Sequence, residues 1–453
     1  MIREGKAYMD DTDQETMQAE RMKMVESKNR NAAPEENLKI FEELIKGTKE
    51  FRKYCLRAKI DMSSVNGTMR DPVLFRFNET PHHRTGTRFK AYPTYDFACP
   101  VIDAIEGVTH ALRTTEYNDR DEQYHWIQKA VGLRHVYIQA FGKMNFVNTV
   151  LSKRKLTWFV ENKLVEGWFD PRFPTVQGCI RRGVNVEALK NFIISQGASR
   201  RVITMEWDKF WAENKKVLEE KCPRYMAVNT QDVVEMLVEN AAAEVTFHTV
   251  AIHPQKPEHG NRVMRRFNRI LVDQADAATY SVGEEVTFLR WGNMKISAIE
   301  KNGDGKIVSL RATYDEKSTN FSKTKKATWL ASVVRPLSPS LIIPSDPLSL
   351  QAENVPCVLV EFDHLISKAK LGDEEDFKDF VNPVTRMESQ ALADACVRLL
   401  PEGTVIQLER KGFFRIDRAY GGKDKPAVLI SIPDGRAKTL NAAAAAPAAA
   451  KKK

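Results

Sequence analysis

The interpretation of this chain starts from one stretch, Asn148-Thr149-Val150-Leu151-Ser152-Lys153-Arg154-Lys155-Leu156. A hydroxyl residue and three consecutive cations stand between apolar residues, where the pattern predicts that a helix begins. The first N–H groups of a helix lack intrahelical acceptors and carry partial positive charge, to which Ser152, Lys153 and Arg154 add donors and full charge. Two interpretations fit: a site for the phosphates of a nucleotide, or a solvated basic helix start.

Two earlier stretches carry further polar and aromatic residues in close spacing. Tyr92-Pro93-Thr94-Tyr95-Asp96-Phe97-Ala98-Cys99-Pro100 combines aromatic, acidic and small residues between prolines, which suits the wall of a shaped pocket. Glu106-Gly107-Val108-Thr109-His110-Ala111-Leu112-Arg113-Thr114-Thr115-Glu116-Tyr117 follows it. Together with the basic stretch at 148–156, these segments favour a binding site over a purely structural role.

Composition excludes several classes of protein. The chain has 453 residues and a formal charge of +9, and 42% of its residues are hydrophobic and 28% charged, as in globular proteins of two to four domains. No run approaches the roughly 18 apolar residues of a membrane span. The six cysteines form no Cys-x-x-Cys pair, so the sequence predicts neither a metal site nor a disulfide framework, and favours a reducing cytosol.

The predicted secondary structure changes along the chain. Helices are expected over about 14–29 and from Pro34 to Gly47, short extended runs over 54–103, and helices again over 119–225. Short strands with Gly-containing turns follow Pro223, which is typical of barrels or sandwiches. This skeleton is α+β or α/β in the first half, helical in the middle and β at the end, and by itself names no function.

On these segments the chain resembles the glutamyl-tRNA synthetases of the eukaryotic cytosolic and archaeal type, which are class I aminoacyl-tRNA synthetases. Val150–Arg154 is similar to the family's second nucleotide signature, usually written K-M-S-K-S. The segments 92–100, 106–117 and 170–178 follow the family's order and spacing, and the resemblance covers nearly all of 1–435. It implies a multidomain fold: the C-terminal part of a class I Rossmann-type catalytic domain, a helical stem-contact region and two β-barrels.

The resemblance also implies domain boundaries. They are a connective and acceptor-end-binding part of the catalytic domain (1–88), the second half of the nucleotide-binding catalytic domain (89–157), the helical region (158–225), a β-barrel anticodon-binding domain (226–435) with an insertion (335–353), and a disordered Ala/Lys tail (436–453).

The implied activity is ATP-dependent formation of glutamyl-adenylate and transfer of glutamate to its tRNA in the cytosol. The implied ATP-binding residues are Glu116, Val150, Leu151, Ser152, Lys153 and Arg154. Lys153 is the implied catalytic residue, since a cation at the α-phosphate stabilises the charge that develops there. Mg²⁺ is expected to accompany ATP as part of the substrate. For Glu116 a second interpretation stays open, a carboxylate capping the helix over 119–131.

The implied glutamate pocket comprises Tyr95, Asp96, Phe97, Ala98, Cys99 and Arg113. A guanidinium pairs with a carboxylate through two parallel hydrogen bonds, whereas a neutral amide is a poorer partner, so Arg113 is expected to favour glutamate over glutamine. Asp96 is expected to orient Tyr95 or bind the substrate's ammonium group, because a carboxylate nucleophile needs no general base.

Transfer RNA is the implied macromolecular partner, with no membrane and with partners in a multi-synthetase complex left unspecified. The helical region is expected to meet the inner stem, and the barrels to read the anticodon through stacking surfaces, edge hydrogen bonds and cations. The candidates are Trp291, Arg410, Lys411 and Phe413, although a place in the barrel core is an equally good interpretation for the two aromatic residues.

Three features depart from the family pattern. Its first signature, H-I-G-H, has no counterpart here, so the resemblance implies a synthetase that lacks the first half of its nucleotide fold. Lys143-Met144-Asn145 stands where many relatives have Arg-Leu-Asn, and the run 335–353 has no counterpart. Two alternatives therefore remain: a tRNA-binding fragment of the same enzyme without chemistry, and a glutaminyl-tRNA synthetase.

Overall fold

The computed structural model describes residues 1–332, 353–372 and 374–436. The chain divides into two compact units: the first comprises 1–144 and 198–203, and the second 145–197 and the residues from 204 onward. The predicted insertion, apart from Glu353, and the predicted tail beyond Arg436 lie outside the described residues. Within the described ranges, no helix is both long enough and apolar enough to cross a membrane.

The first unit combines short strands with four helices among its described residues. In chain order its elements are β1 (Ala7–Asp10), α1 (Gln14–Lys23), α2 (Pro34–Lys46), β2 (Cys55–Ala58), β3 (Val73–Phe77), β4 (Ala91–Pro93), α3 (Tyr95–Ile105), β5 (His110–Thr114), α4 (Asp121–Val131) and β6 (Tyr137–Phe141). Strands β1 to β4 form an antiparallel sheet in sequential order, and β5 pairs with β6 in parallel.

Helix α2 begins and ends where the sequence predicts. Pro34 occupies its first turn, where a missing N–H costs nothing, and Gly47 ends it with a φ of 79° in the left-handed region. Its apolar stripe packs through Leu44 onto the antiparallel sheet, beside Leu56 and Leu74. The face of α2 that the 3.6-residue period marks as apolar is therefore the buried face.

Two predictions for this unit were wrong in detail. Helix α1 is capped by Asp13, whose side chain accepts from the Thr16 N–H, and it ends at Lys23 rather than near 29. The extended texture predicted through residue 103 is replaced by α3 from Tyr95 onward. Pro100 lies inside that helix, because packing of its apolar residues outweighs the hydrogen bond that proline cannot make.

The second unit opens with helices. Two short strands, β7 (Met144–Phe146) and β8 (Ile203–Met205), cross the boundaries between the units, and the helices of the second unit are α5 (Lys153–Glu161), α6 (Val176–Arg181), α7 (Val186–Gln196) and α8 (Trp207–Lys221). The two prolines at 171 and 174 lie in a turn between α5 and α6, as the sequence predicts.

That turn is organised around Asp170, whose side chain is almost completely buried. Its carboxylate accepts from the backbone N–H groups of Glu166 and Arg172, both at 2.9 Å. It also pairs with the Arg172 guanidinium at 2.7 Å. One buried charge thus satisfies four donors, and it fixes the path of the chain into α6.

The remainder of the second unit is predominantly β. After α8 come β9 (Arg224–Tyr225), β10 (Ala227–Asn229), β11 (Val233–Val238), β12 (Thr246–Ala251), β13 (Asn261–Arg266), β14 (Arg269–Asp273), the short helix α9 (Gln274–Ala277), β15 (Glu285–Phe288), β16 (Gly292–Lys301), β17 (Ile307–Asp315), β18 (Lys325–Ala327), β19 (Trp329–Ala331), β20 (Val355–Phe362), β21 (Arg386–Ala393), β22 (Val405–Leu408), β23 (Gly412–Arg418) and β24 (Ala427–Ile432). These strands confirm the predicted all-β region.

Fourteen of these strands form two seven-stranded sheets with the same topology, and β12 and β13 form a separate antiparallel pair. One has the order β18-β15-β16-β17-β11-β14-β19, and the other β9-β22-β23-β24-β20-β21-β10. Equivalent neighbouring strands in the two sheets also run in the same relative direction. For example, β17 pairs in parallel with β11, and β24 pairs in parallel with β20. The residues just before β15 and β22 also make equivalent hydrogen bonds: the Gly283 N–H donates to the Ile296 carbonyl and the Gly403 N–H to the Ile416 carbonyl, both at 2.7 Å. The region is therefore an internal structural repeat.

The two repeats exchange their first strands. Strands β9 and β10 precede β11 along the chain but complete the sheet of the second repeat, whereas β18 and β19 precede β20 but complete the sheet of the first. An unpaired sheet edge exposes N–H and C=O groups, so each repeat covers the edges of the other. Lys411, at the turn between β22 and β23, adds an ion pair to Asp273 at 2.8 Å.

Replacing Asp170 by Asn is expected to lower the free energy of unfolding by about 3–5 kcal/mol, because Arg172 would lose its buried counter-ion. Burial alone would raise the pKa of Asp170, but Arg172 and the two N–H groups lower it overall. A lowered folded pKa gives stability that is complete above the unfolded value of about 4 and is lost as the pH falls through the folded pKa.

Urea unfolding followed by tryptophan fluorescence should therefore show a difference between wild type and Asp170→Asn that shrinks as the pH falls from 7 to below 4. Asp232→Asn is the matched control, since Asp232 forms an exposed ion pair with Lys306 and should cost less than about 1 kcal/mol. A pH-independent difference for Asp170→Asn would contradict this account.

Candidate functional site

In the first unit, three side chains spaced one helical turn apart on α3 meet the end of β5. Tyr95, Cys99 and Asp103 occupy positions i, i+4 and i+8, which a helix places in one row. Arg113 on β5 reaches this row: its Nη1 donates to the Tyr95 hydroxyl at 3.0 Å, and its Nη2 donates to Asp103 Oδ2 at 2.8 Å and to Cys99 Sγ. The predicted residues Tyr95, Cys99 and Arg113 are thus brought together.

The guanidinium of Arg113 is partly buried, with 20% of the side chain exposed. It lies over the ring of Tyr117, 5.2 Å from the ring centre, and its Nε is buried without an acceptor among the described residues. Burial alone would lower the pKa of Arg113, but Cys99, Tyr95 and Asp103 raise it overall. The side chain is therefore a cation held in place by its surroundings.

The other predicted members of the glutamate pocket, Asp96, Phe97 and Ala98, make contacts outside the cluster around Arg113. Phe97 packs against Phe75, with ring centres 5.4 Å apart, and belongs to the core under the antiparallel sheet. Asp96 lies 3.6 Å from the Arg120 guanidinium, and its Oδ1 is buried without a partner in the described part of the chain. The Ala98 backbone N–H donates to the Thr94 carbonyl at 3.0 Å, at the start of α3. Of the five predicted residues 95–99, Tyr95 and Cys99 are the two that bond to Arg113.

Glu116 follows β5 in a six-residue 3₁₀-helix, Thr115–Arg120, and it does not cap α4. Its carboxylate lies 3.2 Å from the Lys143 ammonium, and both side chains are exposed. The residue at the N-cap position of α4 is Arg120. The capping interpretation of Glu116 was therefore wrong, and its carboxylate instead neutralises a lysine of the segment that departs from the family pattern.

In the second unit, the basic stretch begins a helix as predicted. Ser152 is the N-cap of α5, with a backbone φ of −71° and ψ of 122°, and its hydroxyl makes no capping hydrogen bond. Ser152, Lys153 and Arg154 are exposed, and no ion pair to Lys153 or Arg154 occurs within the described ranges. Leu151 is also exposed, whereas Val150 is buried. Free N–H groups and two unneutralised cations together form an anion-binding arrangement.

The loop before α5 is anchored by residues far away in the sequence. Asn148, at a φ of 52°, donates from its side chain to the Ser367 carbonyl at 2.9 Å and from its backbone to the Ala369 carbonyl at 3.0 Å. The Trp207 indole N–H donates to the Thr149 hydroxyl at 2.8 Å. These anchors fix the position of Ser152 and of the cations Lys153 and Arg154 that follow it.

Packing supports the same loop from beneath. Val150, Leu156 and Phe159 join one hydrophobic cluster with Ile366 and Phe377 of the segment that follows β20. Sequence reasoning missed Asn148 and Trp207 as anchors, and the only signals were a residue type that tolerates the left-handed region and a tryptophan in the stretch 205–209. Their partners could not be identified from spacing.

The RNA-contact candidates in the β region have mostly structural partners. Phe413 is 2% exposed, so its ring is core and the stacking role was wrong. Arg410 forms an ion pair with Asp276, and Lys411 with Asp273, each linking the second repeat to the first. Trp291 is half-buried, 4.7 Å from Trp329 between ring centres. The Arg266 guanidinium lies 5.4 Å from the centre of the Trp291 ring.

No group of three or more His, Cys, Asp or Glu side chains suited to a metal ion occurs in the part of the chain that the structure describes. The structure therefore offers no protein-built metal centre there, and acidic residues such as Asp103 and Glu116 are engaged by cations instead.

Comparison with known proteins identifies the domains. A family described as tRNA synthetases class I (E and Q), catalytic domain, matches residues 1–220. Two families described as tRNA synthetases class I (E and Q), anti-codon binding domain, match 222–315 and 349–417, which correspond to the two β repeats. Successive matches to one group of enzymes thus cover most of the chain.

Individual relatives agree. The bifunctional glutamate/proline–tRNA ligase of Mus musculus is 49% identical over 446 residues, which are 97% of this chain and 28% of that protein. The cytoplasmic glutamate–tRNA ligase of Saccharomyces cerevisiae is 46% identical over 438 residues, 96% of this chain and 58% of that protein. The probable cytoplasmic glutamate–tRNA ligase of Schizosaccharomyces pombe is 46% identical over 442 residues, 97% of this chain and 58% of that protein.

The chain therefore spans about three fifths or less of these relatives. The predicted resemblance is confirmed at the level of family and fold. Three successive matches to the same group of enzymes show that this chain belongs to the class I tRNA synthetases of the glutamate and glutamine group.

Proposed function

We propose that this chain serves ATP-dependent attachment of L-glutamate to tRNA(Glu), through glutamyl-adenylate. The observation that carries the proposal is Arg113, a fixed and partly buried cation beside the exposed hydroxyl of Tyr95. A carboxylate accepts hydrogen bonds at both oxygens, whereas a carboxamide presents an NH₂ group that clashes with a donor. The relatives named as glutamate–tRNA ligases support the same choice of amino acid.

The nucleotide would be held at the start of α5. Attack of the glutamate carboxylate on the α-phosphate of ATP adds negative charge to that phosphorus centre in the transition state. Lys153 is proposed as the catalytic residue, since an exposed and unpaired ammonium can stabilise this charge more than the ground state. Val150, Leu151, Ser152 and Arg154 supply the surrounding backbone and side chains, and Glu116 is proposed to lie near ATP.

Mg²⁺ is proposed to enter with ATP, since a divalent ion neutralises charge on the departing pyrophosphate. The residues of this chain would then bind and orient the complex through Lys153, Arg154 and the free N–H groups of the first turn of α5.

The β repeats are proposed to bind the anticodon of tRNA, by analogy with the families that match them. The fused and cytoplasmic relatives support a place in cytoplasmic translation. A tRNA-binding protein without this chemistry is the second candidate, since the two anticodon-binding families match the β repeats independently of the catalytic-domain match.

Glutamate-dependent release of pyrophosphate in the presence of ATP and tRNA(Glu) tests the proposal. A full-length cytoplasmic glutamate–tRNA ligase, assayed alongside, serves as the positive control. Release that depends on glutamate and not on glutamine supports ligation by this chain. Absence of release, with tRNA binding retained, would contradict it and favour the second candidate, and release with glutamine alone would favour a glutaminyl-tRNA synthetase.

Replacing Lys153 by Ala is expected to lower kcat for pyrophosphate release about 10²–10³-fold, because the cation acts on charge that develops in the transition state. Affinity for tRNA should change little, since one exposed charge contributes only a fraction of a phosphate-driven interface. Lys190→Ala is the matched control: Lys190 is an exposed helical lysine of the same unit. Equal losses in the two variants would refute a catalytic role for Lys153.

Binding of tRNA should weaken steeply with salt, by about 0.9 units of log Kd per unit of log salt for each duplex phosphate that the protein neutralises. Replacing Lys411 by Met should leave this slope unchanged and lower the melting temperature, because Lys411 is already paired with Asp273. Fluorescence anisotropy with labelled tRNA measures the slope. A flat response would argue against the RNA-binding proposal, and a slope reduced by about one in Lys411→Met would restore Lys411 as a phosphate contact.

A further inference from the structure

We propose that Asp103 is a positioning residue for amino-acid selection: it holds the Arg113 guanidinium so that one N–H of Nη1 and the Tyr95 hydroxyl together meet the side-chain carboxylate of glutamate. This inference rests on the proposed function and extends it to a residue outside the predicted site.

Asp103 is the point where the cluster around Arg113 is tied to two helices. Its Oδ2 accepts from Arg113 Nη2 and from the Tyr124 hydroxyl, each at 2.8 Å, and the Cys99 thiol lies at 3.5 Å. Asp103 belongs to α3 and Tyr124 to α4, whereas Arg113 comes from β5 between them. One carboxylate oxygen therefore sets the position of the guanidinium relative to both helices.

The helix that carries Asp103 is itself held in place. Gln128 on α4 donates to the Pro100 carbonyl at 3.2 Å, and Arg134 Nε donates to the Ala104 carbonyl at 2.9 Å. Tyr124 is buried, and burial followed by its bond to Asp103 raises its pKa, so that the phenol stays a donor. Asp103 is therefore anchored at its backbone and at its carboxylate.

The contacts of the Arg113 guanidinium with Tyr95, Cys99 and Asp103 determine which of its N–H groups remain for a ligand. A guanidinium has five N–H bonds. Nη2 uses both of its hydrogens, on Asp103 and Cys99, and Nη1 uses one on Tyr95. The buried Nε has no acceptor among the described residues. One N–H of Nη1 remains for a ligand.

Tyr95 supplies the second donor. Its oxygen accepts from Arg113 Nη1 at 3.0 Å, which leaves its own hydrogen free to be donated, and 60% of the residue is exposed. Burial is the largest cause of the raised pKa of Tyr95, so the hydroxyl keeps its proton at neutral pH. Two donors about one hydrogen-bond length apart match the two oxygens of a carboxylate, whereas the NH₂ group of glutamine would oppose one of them.

This arrangement differs from the two parallel bonds that the sequence suggested for Arg113. Its Nη2 is already occupied by Asp103, so the substrate carboxylate would share its bonds between Arg113 and Tyr95. Asp103 reduces the net charge of the cluster, but it prevents a flexible arginine side chain from leaving the geometry in which both donors converge. Selection between glutamate and glutamine thus depends on orientation as well as on charge.

Equilibrium binding of L-glutamate and of L-glutamine to the whole chain tests the proposal, with saturation-transfer nuclear magnetic resonance as the readout. In wild type, glutamate should bind more tightly than glutamine. Asp103→Asn should lower this preference at least tenfold through weaker glutamate binding, with glutamine affinity little changed. Asp103→Glu, which keeps the charge, should recover part of the preference, and Tyr124→Phe should give an intermediate loss.

Asp119→Asn is the matched control, because Asp119 is exposed and no side-chain bond or ion pair to it occurs within the described ranges, and it should behave as wild type. A purely structural role for Asp103 would lower both affinities and the melting temperature together. That result, or an unchanged preference in Asp103→Asn, would overturn the proposal, as would a wild type without any preference. Failure of pyrophosphate release with the binding preference intact would count against the proposed ligation alone.

Discussion

A partly buried guanidinium has to be surrounded by acceptors, and the arrangement of the first unit around Arg113 follows from this requirement. Strand β5 delivers Arg113 to a helix on which Tyr95, Cys99 and Asp103 recur every fourth residue, so that one face of α3 offers three acceptors in a row. Because the Tyr124 hydroxyl donates to the Asp103 carboxylate, the same row of side chains also binds α4. In the proposed function, the bonds that stabilise the cation are the same bonds that orient it toward an acidic amino acid.

The basic start of α5 in the second unit is organised differently from the cluster around Arg113. At the start of α5 the cations at 153 and 154 have no ion-pair partner among the residues that the structure describes, so that an incoming anion can neutralise them. Their position is fixed by the backbone that precedes them. Asn148 and Thr149 are held by hydrogen bonds to Ser367 and Trp207. Rigid anchoring with free charges suits transient binding of phosphates, whereas paired charges, as at Asp170, suit permanent structure.

The sequence predicted features that depend on neighbours along the chain. The caps of α2 at Pro34 and Gly47 and the helix start at Ser152 follow from local backbone preferences. Helix α3 was missed because the stretch between Pro93 and Pro100 was included in the extended runs predicted over 54–103, whereas tertiary packing outweighs the one hydrogen bond that Pro100 cannot make. Asp103 was missed for another reason: its partners lie 10 and 21 residues away, on elements whose relative placement no periodicity encodes.

The exchanged strands tie the two repeats of the β region together. If β9 and β10 had stayed with the sheet of their own repeat, each sheet could separate and keep its hydrogen bonds. Because the first strands are exchanged, separation would break the pairing of Ala227 with Ala393 in one sheet and of Ile270 with Ala331 in the other. The ion pairs of Arg410 and Lys411 reinforce the same junction. The proposed binding of tRNA would benefit from this fixed geometry, since any relative motion of the repeats would have to be suppressed at a cost in binding free energy.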